Sequence, residues 1–265
     1  MVILRRIMIA VLTLTLLVAG VVRGASTADY SDQWWIETES GWGASVLQQA
    51  DILFIDLFVY GVDNKPTWFT VAAYNQSSAP TGHTVFTGDL YQTSGPNYGG
   101  SFDSSSVTYA KVGTLTFDAD TTNTAKLTYT VSGVTIAKNV TRQTWRTENL
   151  SGSYYGGDSG EQTLCGAANG YRETQTSIEI AHAADNSITI TTKDPQNRVQ
   201  TITGTYSQSG HVGRIVGTLS APQQGLTGTV NYFEIERTIS GITGHGHIVL
   251  SSGCVWDGRW GGVRR

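Results

Sequence analysis

The stretch WWIETESGWGASVLQQADILFIDLFVYGVDNKPTWFTVAAY, Trp34 to Tyr74, decides the fold class. Two runs rich in β-branched and aromatic residues, 52–60 and 67–74, flank Gly61-Val62-Asp63-Asn64-Lys65-Pro66. β-formers on both sides of turn-formers specify a hairpin. Just upstream, Glu37-Thr38-Glu39-Ser40-Gly41-Trp42-Gly43 gathers carboxylate, hydroxyl, indole and glycine. The block specifies β-structure but not a reaction.

Alternation at period 2 recurs from Trp34 to the C-terminus, and no sustained helical period interrupts it. The pattern predicts strands near 33–37, 43–49, 51–60, 66–74, 83–91, 107–117, 124–131 and 134–145. A second series follows near 150–156, 174–183, 186–193, 198–208, 211–220, 226–238, 241–250 and 253–261. Short polar links, such as Asp185-Asn186 and Gln208-Ser209-Gly210, join the second series. Tight links between successive strands predict an up-and-down meander closing on itself. Glycines within the strands, such as Gly204, Gly217 and Gly246, suit bends in a small barrel wall. The expectation is all-β, with two antiparallel barrel or sandwich domains over 25–147 and 148–265, the second a meander. A single transmembrane barrel is disfavoured because no aromatic girdles recur at the strand ends.

Residues 1–24 read as a secretory signal peptide. Arg5 and Arg6 precede the apolar run 7–22, and Val22-Arg23-Gly24 offers small residues at the −3 and −1 positions. Of 17 Lys+Arg in the chain, Arg5, Arg6 and Arg23 would leave with it, so 14 face 21 Asp+Glu. That acidic balance disfavours nucleic acid and anionic membrane as partners. No membrane span is expected after signal removal, and the location expected is periplasm, cell surface or medium. Two cysteines in an oxidising compartment, Cys165 and Cys254, predict one disulfide closing a loop of about 90 residues.

The first half resembles an exported bacterial β-domain family. The likeness rests on Trp34-Trp35, Glu39-Ser40-Gly41-Trp42-Gly43, Gln48-Gln49, Tyr60, Asp63, Pro66 and Trp68. The second half, with Cys165, Tyr206-Ser207-Gln208-Ser209-Gly210 and the ending 258–265, resembles the tails of similar exported proteins. In architecture alone it resembles a lipocalin or avidin-type meander, which implies no particular ligand. The family brings no activity to transfer. Asp56 departs from it, standing where an apolar residue is usual.

Candidate ligand-binding residues are Glu39, Trp42, Asp56, Tyr60 and Trp68. Glu37 and Glu39 share one face, which suits a turn better than the opposed acids of glycoside cleavage. Asp56 lies in an apolar run and points either to solvent or into a cavity, where burial would be costly. The aromatic group can stack on a ligand or fill a core. His245 and His247 share a strand face and are weak metal candidates, with His211 or His182 as a third ligand. No catalytic or metal signature occurs: no G-x-S-x-G, H-E-x-x-H, phosphate-binding or dinucleotide loop. No cofactor is expected. The reading favours a non-enzymatic exported β-protein that binds a small apolar ligand, a glycan or a cell-surface component. A secreted hydrolase on carbohydrate or ester and a structural or adhesive surface module are the alternatives.

Overall fold

The computed structural model describes residues 28–265. The expected signal peptide, 1–24, lies outside the described residues. The strands close into two antiparallel barrels of eight strands each. Contacts divide the chain into two compact units, one built on Gly41–Val140 and the other on Thr141–Arg265 together with Asp32–Ser40. Among the described residues, no helix is long and apolar enough to cross a membrane.

The first barrel runs through β1 (Asp32–Trp35), β2 (Gly43–Gln49), β3 (Ile52–Tyr60), β4 (Pro66–Asn75), β5 (Thr84–Ser94), β6 (Thr108–Ala119), β7 (Thr124–Val131) and β8 (Val134–Arg142). The hairpin of the opening stretch forms in full register from Ile52↔Tyr74 to Tyr60↔Pro66. Alternation decides its faces. Leu53, Ile55 and Leu57 are buried, with Phe69, Val71 and Ala73 beside them. Tyr30 packs edge-on against Phe86 and Phe117 in the same interior. The register Trp34↔Arg142 closes the barrel through β1 and β8.

The second barrel runs through β9 (Gly152–Thr163), β10 (Gly170–His182), β11 (Ser187–Lys193), β12 (Val199–Ser209), β13 (Val212–Ala221), β14 (Leu226–Arg237), β15 (Gly241–Leu250) and β16 (Val255–Arg264). Each strand pairs with its chain neighbour, and β16 returns to β9 to complete the ring. One local expectation is corrected. The strands expected near 150–156 and 174–183 leave 157–173 between them, but β9 continues to Thr163 and β10 starts at Gly170. Cys165 therefore sits in a tight turn rather than a loop, bonded to Cys254 just before β16.

One end of this barrel is filled. The Tyr154 hydroxyl donates to the Leu150 carbonyl at 2.9 Å, and the Leu150 N–H donates to His182 Nδ1 at 3.2 Å. Tyr206 meets the His182 ring edge-on, with centroids 4.8 Å apart. Burial and the nearby charge of Glu148 push the Tyr206 phenol up to about 12. Ile180, Ile188, Ile215 and Ile235 complete the plug.

Candidate functional site

The other end of the second barrel is not filled. An eight-stranded barrel is just wide enough to be packed with side chains or to hold one small ligand. Here a partly enclosed cavity of about 280 Å³ remains. Its mouth carries Gln162, Thr192, Gln200 and Gln224 beside an Asp194–Arg198 pair, whose Nε and Oδ2 lie 2.6 Å apart. Ile178, Ile190, Ile202, Leu219, Ile248 and Leu250 form an aliphatic wall. Deeper in the register stand Asp158, Tyr232, Trp256 and Trp260. Cys254 also lines the cavity, so the disulfide stands at its rim.

Strand register explains how these groups meet. Asp158 on β9 is opposite Thr174 on β10 and Trp260 on β16. Directly opposite residues share a face, so all three point inward with Tyr154, Gly160 and Gln162. Trp256 and Trp260 are four apart on β16 and share that face too. Tyr232 stacks on Trp260, centroids 4.7 Å apart and planes 27° from parallel. The rings fit because their neighbours lack side chains. A Cβ at Gly246 would come within 2.7 Å of both Trp256 and Tyr232, and a Cβ at Gly258 within 2.6 Å of Trp256. The indole N–H of Trp256 lies against Gly160, that of Trp260 against Gly244, and both are buried without a hydrogen-bond partner. Gln224 Oε1 is a third buried cavity-lining group without one.

Asp158 is the chemical centre of this cavity. Burial pushes its carboxyl up to about 6. No salt bridge or hydrogen bond to its side chain occurs among the described residues. Burial, with the charge of Asp158 nearby, also pushes the Tyr232 phenol above its usual value. An open groove of about 710 Å³ shares Gly157, Asp158, Thr174 and Trp260 with the cavity. There β9 and β16 face each other through Gly156↔Gly262 and Gly157↔Gly261, so the wall is bare backbone.

The residues singled out from the sequence lie elsewhere. Glu39 ends a single 3-10 turn, Glu37–Glu39, and its N–H donates to the Ile36 carbonyl. Trp42 is half-buried under the Lys138 ammonium, 5.5 Å from its ring centroid. Asp56, Tyr60 and Trp68 come together on the outer face of the hairpin. Asp56 lies between Phe54 and Phe58 on that face, opposite Thr70, and Phe58 is opposite Trp68. Trp68 and Tyr60 are more than half exposed. Asp56 thus faces outward rather than into a cavity, and partial burial by its ring neighbours raises its carboxyl above the usual value. The run looked uniformly apolar because the inner face holds Leu53, Ile55 and Leu57 while the outer holds exposed Phe54 and Phe58. Such a ring-bearing face can stack against a sugar or an apolar surface.

His245 and His247 do share a face, but each is taken by its own acid. His245 Nε2 is 3.5 Å from Glu234, and His247 Nδ1 bonds Asp257. The suggested third ligands are engaged elsewhere: His182 in the barrel plug, and His211 on Asp32, 2.8 Å from its Oδ2. Among the described residues, no cluster of three metal-ligating groups includes His245 or His247.

The sequence reading passed over Asp158 and Tyr232, and it left Trp256 and Trp260 open between stacking on a ligand and filling a core. Two signals pointed to them: an acid within Gly156-Gly157-Asp158-Ser159-Gly160, and two tryptophans on one face of the last strand. No family model, curated protein or solved structure matches this chain.

Proposed function

We propose that the second barrel binds one small organic ligand in its cavity, and that the chain is an exported binding protein. The carrying observation is the cavity itself: an aliphatic wall, a polar mouth and a partly buried carboxyl among the rings. Ligand sites are typically concave and mostly apolar, with a few placed polar groups. At about 280 Å³ the space equals about nine waters at ~30 Å³ each, which suits a compact molecule rather than a glycan chain. The lining holds no histidine, no serine and no free thiol among the described residues, so it favours binding over acyl transfer. Export is supported by the N-terminal apolar run and by the disulfide, which persists in oxidising compartments.

The test is a thermal-shift screen of the full chain against a small-molecule library, read by tryptophan fluorescence. Hits are expected to raise the melting temperature and perturb the emission of Trp256 and Trp260. Ile190→Trp, which fills the aliphatic wall, should abolish them. Hits unaffected by Ile190→Trp while the variant stays folded, or no hits at all, would overturn the reading.

A further inference from the structure

We infer that the ligand of the second barrel is an organic cation, an amine or quaternary ammonium with a compact apolar body, whose charge sits on the Asp158 carboxylate beside Tyr232 and Trp260. The inference deepens the binding reading and rests on it.

A carboxylate removed from water is costly unless a cation or donors compensate it. Asp158 points into the cavity and is partly buried, yet no lysine, arginine or histidine pairs with it among the described residues. The cation within the lining, Arg198, is held at the mouth by Asp194. The neighbours of Asp158 on β10 and β16 are Thr174 and Trp260, neither of which carries a charge. The barrel therefore presents an acid with nothing of its own to neutralise it.

The surroundings select the same charge. The faces of Tyr and Trp rings attract cations through their quadrupole, most strongly where water is excluded. Tyr232, Trp256 and Trp260 all line the cavity beside the acid. An anionic ligand would meet both the carboxylate and the rings unfavourably. A neutral apolar ligand would leave the acid unpaired. A cation satisfies both, while the isoleucines and leucines accept its apolar body.

The titratable groups around the acid make the pH behaviour definite. β9 contributes Asp158 itself, β14 contributes Tyr232, and the mouth contributes the Asp194–Arg198 pair. β10 contributes only threonines and isoleucine to the cavity, and β16 only tryptophans. On the groove side, Tyr155, Glu173, Glu236 and Arg259 complete the set. Since Asp158 ionises at about 6, a cation is held at pH 7.5 and loses its anchor at pH 4.5.

The experiment compares 2-phenylethylamine, 2-phenylethanol and phenylacetate by calorimetric titration of the full chain, with the parent and Asp158→Asn. The amine is expected to bind at least tenfold tighter than the alcohol at pH 7.5, and phenylacetate weakest. The preference should disappear in Asp158→Asn and in the parent at pH 4.5. Equal binding of amine and alcohol would overturn the charge inference while leaving the cavity reading intact. An amine preference that survives in Asp158→Asn would overturn the assignment to this acid. If none of the three binds while the library screen yields hits, the ligand class is wrong; if both fail, the cavity reading falls with it.

Discussion

Asp158 stands where a charge works against folding. In the unfolded chain its carboxyl ionises at the ordinary value of 3.8, and in the barrel at about 6. Between those values the folded state holds the extra proton, so this group's contribution to stability falls as pH rises. The displacement corresponds to about 3 kcal/mol at ~1.36 kcal/mol per pH unit, lost from near pH 4 upward and fully lost above about pH 6. Asp158→Asn is therefore expected to be more stable than the parent by about 1–3 kcal/mol at pH 7.5, with the gap closing at pH 4. Urea unfolding at the two pH values checks this; a gap independent of pH would show that the acid is not buried as described. Asp56 and Asp158 show where the sequence stops being legible. Asp56 is conspicuous because its strand is apolar on both faces, yet it faces outward. Asp158 hides among glycines, in a segment without β-branched residues, yet it is the acid that faces in.

At the scale of the element, the glycines of β9, β15 and β16 do two things. They thin the wall, and they leave room for rings that a side chain would displace. Gly246→Ala tests the second role. Its Cβ would press on Trp256 and Tyr232, packed ring edges that cannot swing away cheaply. Overpacking of this kind costs about 1–3 kcal/mol. The variant should melt lower, with shifted tryptophan emission, whereas Gly133→Ala has open space for its Cβ and is strained only by its backbone, φ 85°. Equal emission spectra for Gly246→Ala and the parent would show that the rings do not rest on that glycine. Strand positions in β2, β3, β7 and β15 were legible because alternation there carries Val, Ile, Leu and aromatic residues. The second half of β9, Gly157-Asp158-Ser159-Gly160-Glu161-Gln162-Thr163, was not. Its inward positions face a cavity instead of a core, so hydrophobic alternation is absent where the site is built. The candidate site was thus illegible for the same reason that it is a site.

For the molecule as a whole, two antiparallel barrel or sandwich domains, the second a meander, and one cross-link were readable from short links, turn residues and a cysteine pair. The volume left inside the second barrel was not, because it depends on which interior positions are glycine and how the rings lie over them. The cross-link joins residues 89 apart in sequence at the rim of the cavity. In the chain-entropy model closing such a loop stabilises the fold by on the order of 4 kcal/mol. Reduction, or the Cys165→Ser/Cys254→Ser pair, should lower the unfolding free energy of the second barrel by about that amount. Denaturant titrations with and without reductant measure it, and an unchanged midpoint would refute it.

The ring of next-neighbour strands also has a kinetic meaning. From β9 to β16 each pairing forms between adjacent segments and demands little loop closure. The β16–β9 seam is the exception, joining Thr163 to Val255 and Tyr154 to Arg264. Such distant contacts are what slow folding across small proteins. Cys165 and Cys254 flank that seam, so the oxidised chain begins its search with the two remote strands already tethered. The covalent bond thus makes the most remote encounter of the meander a local one.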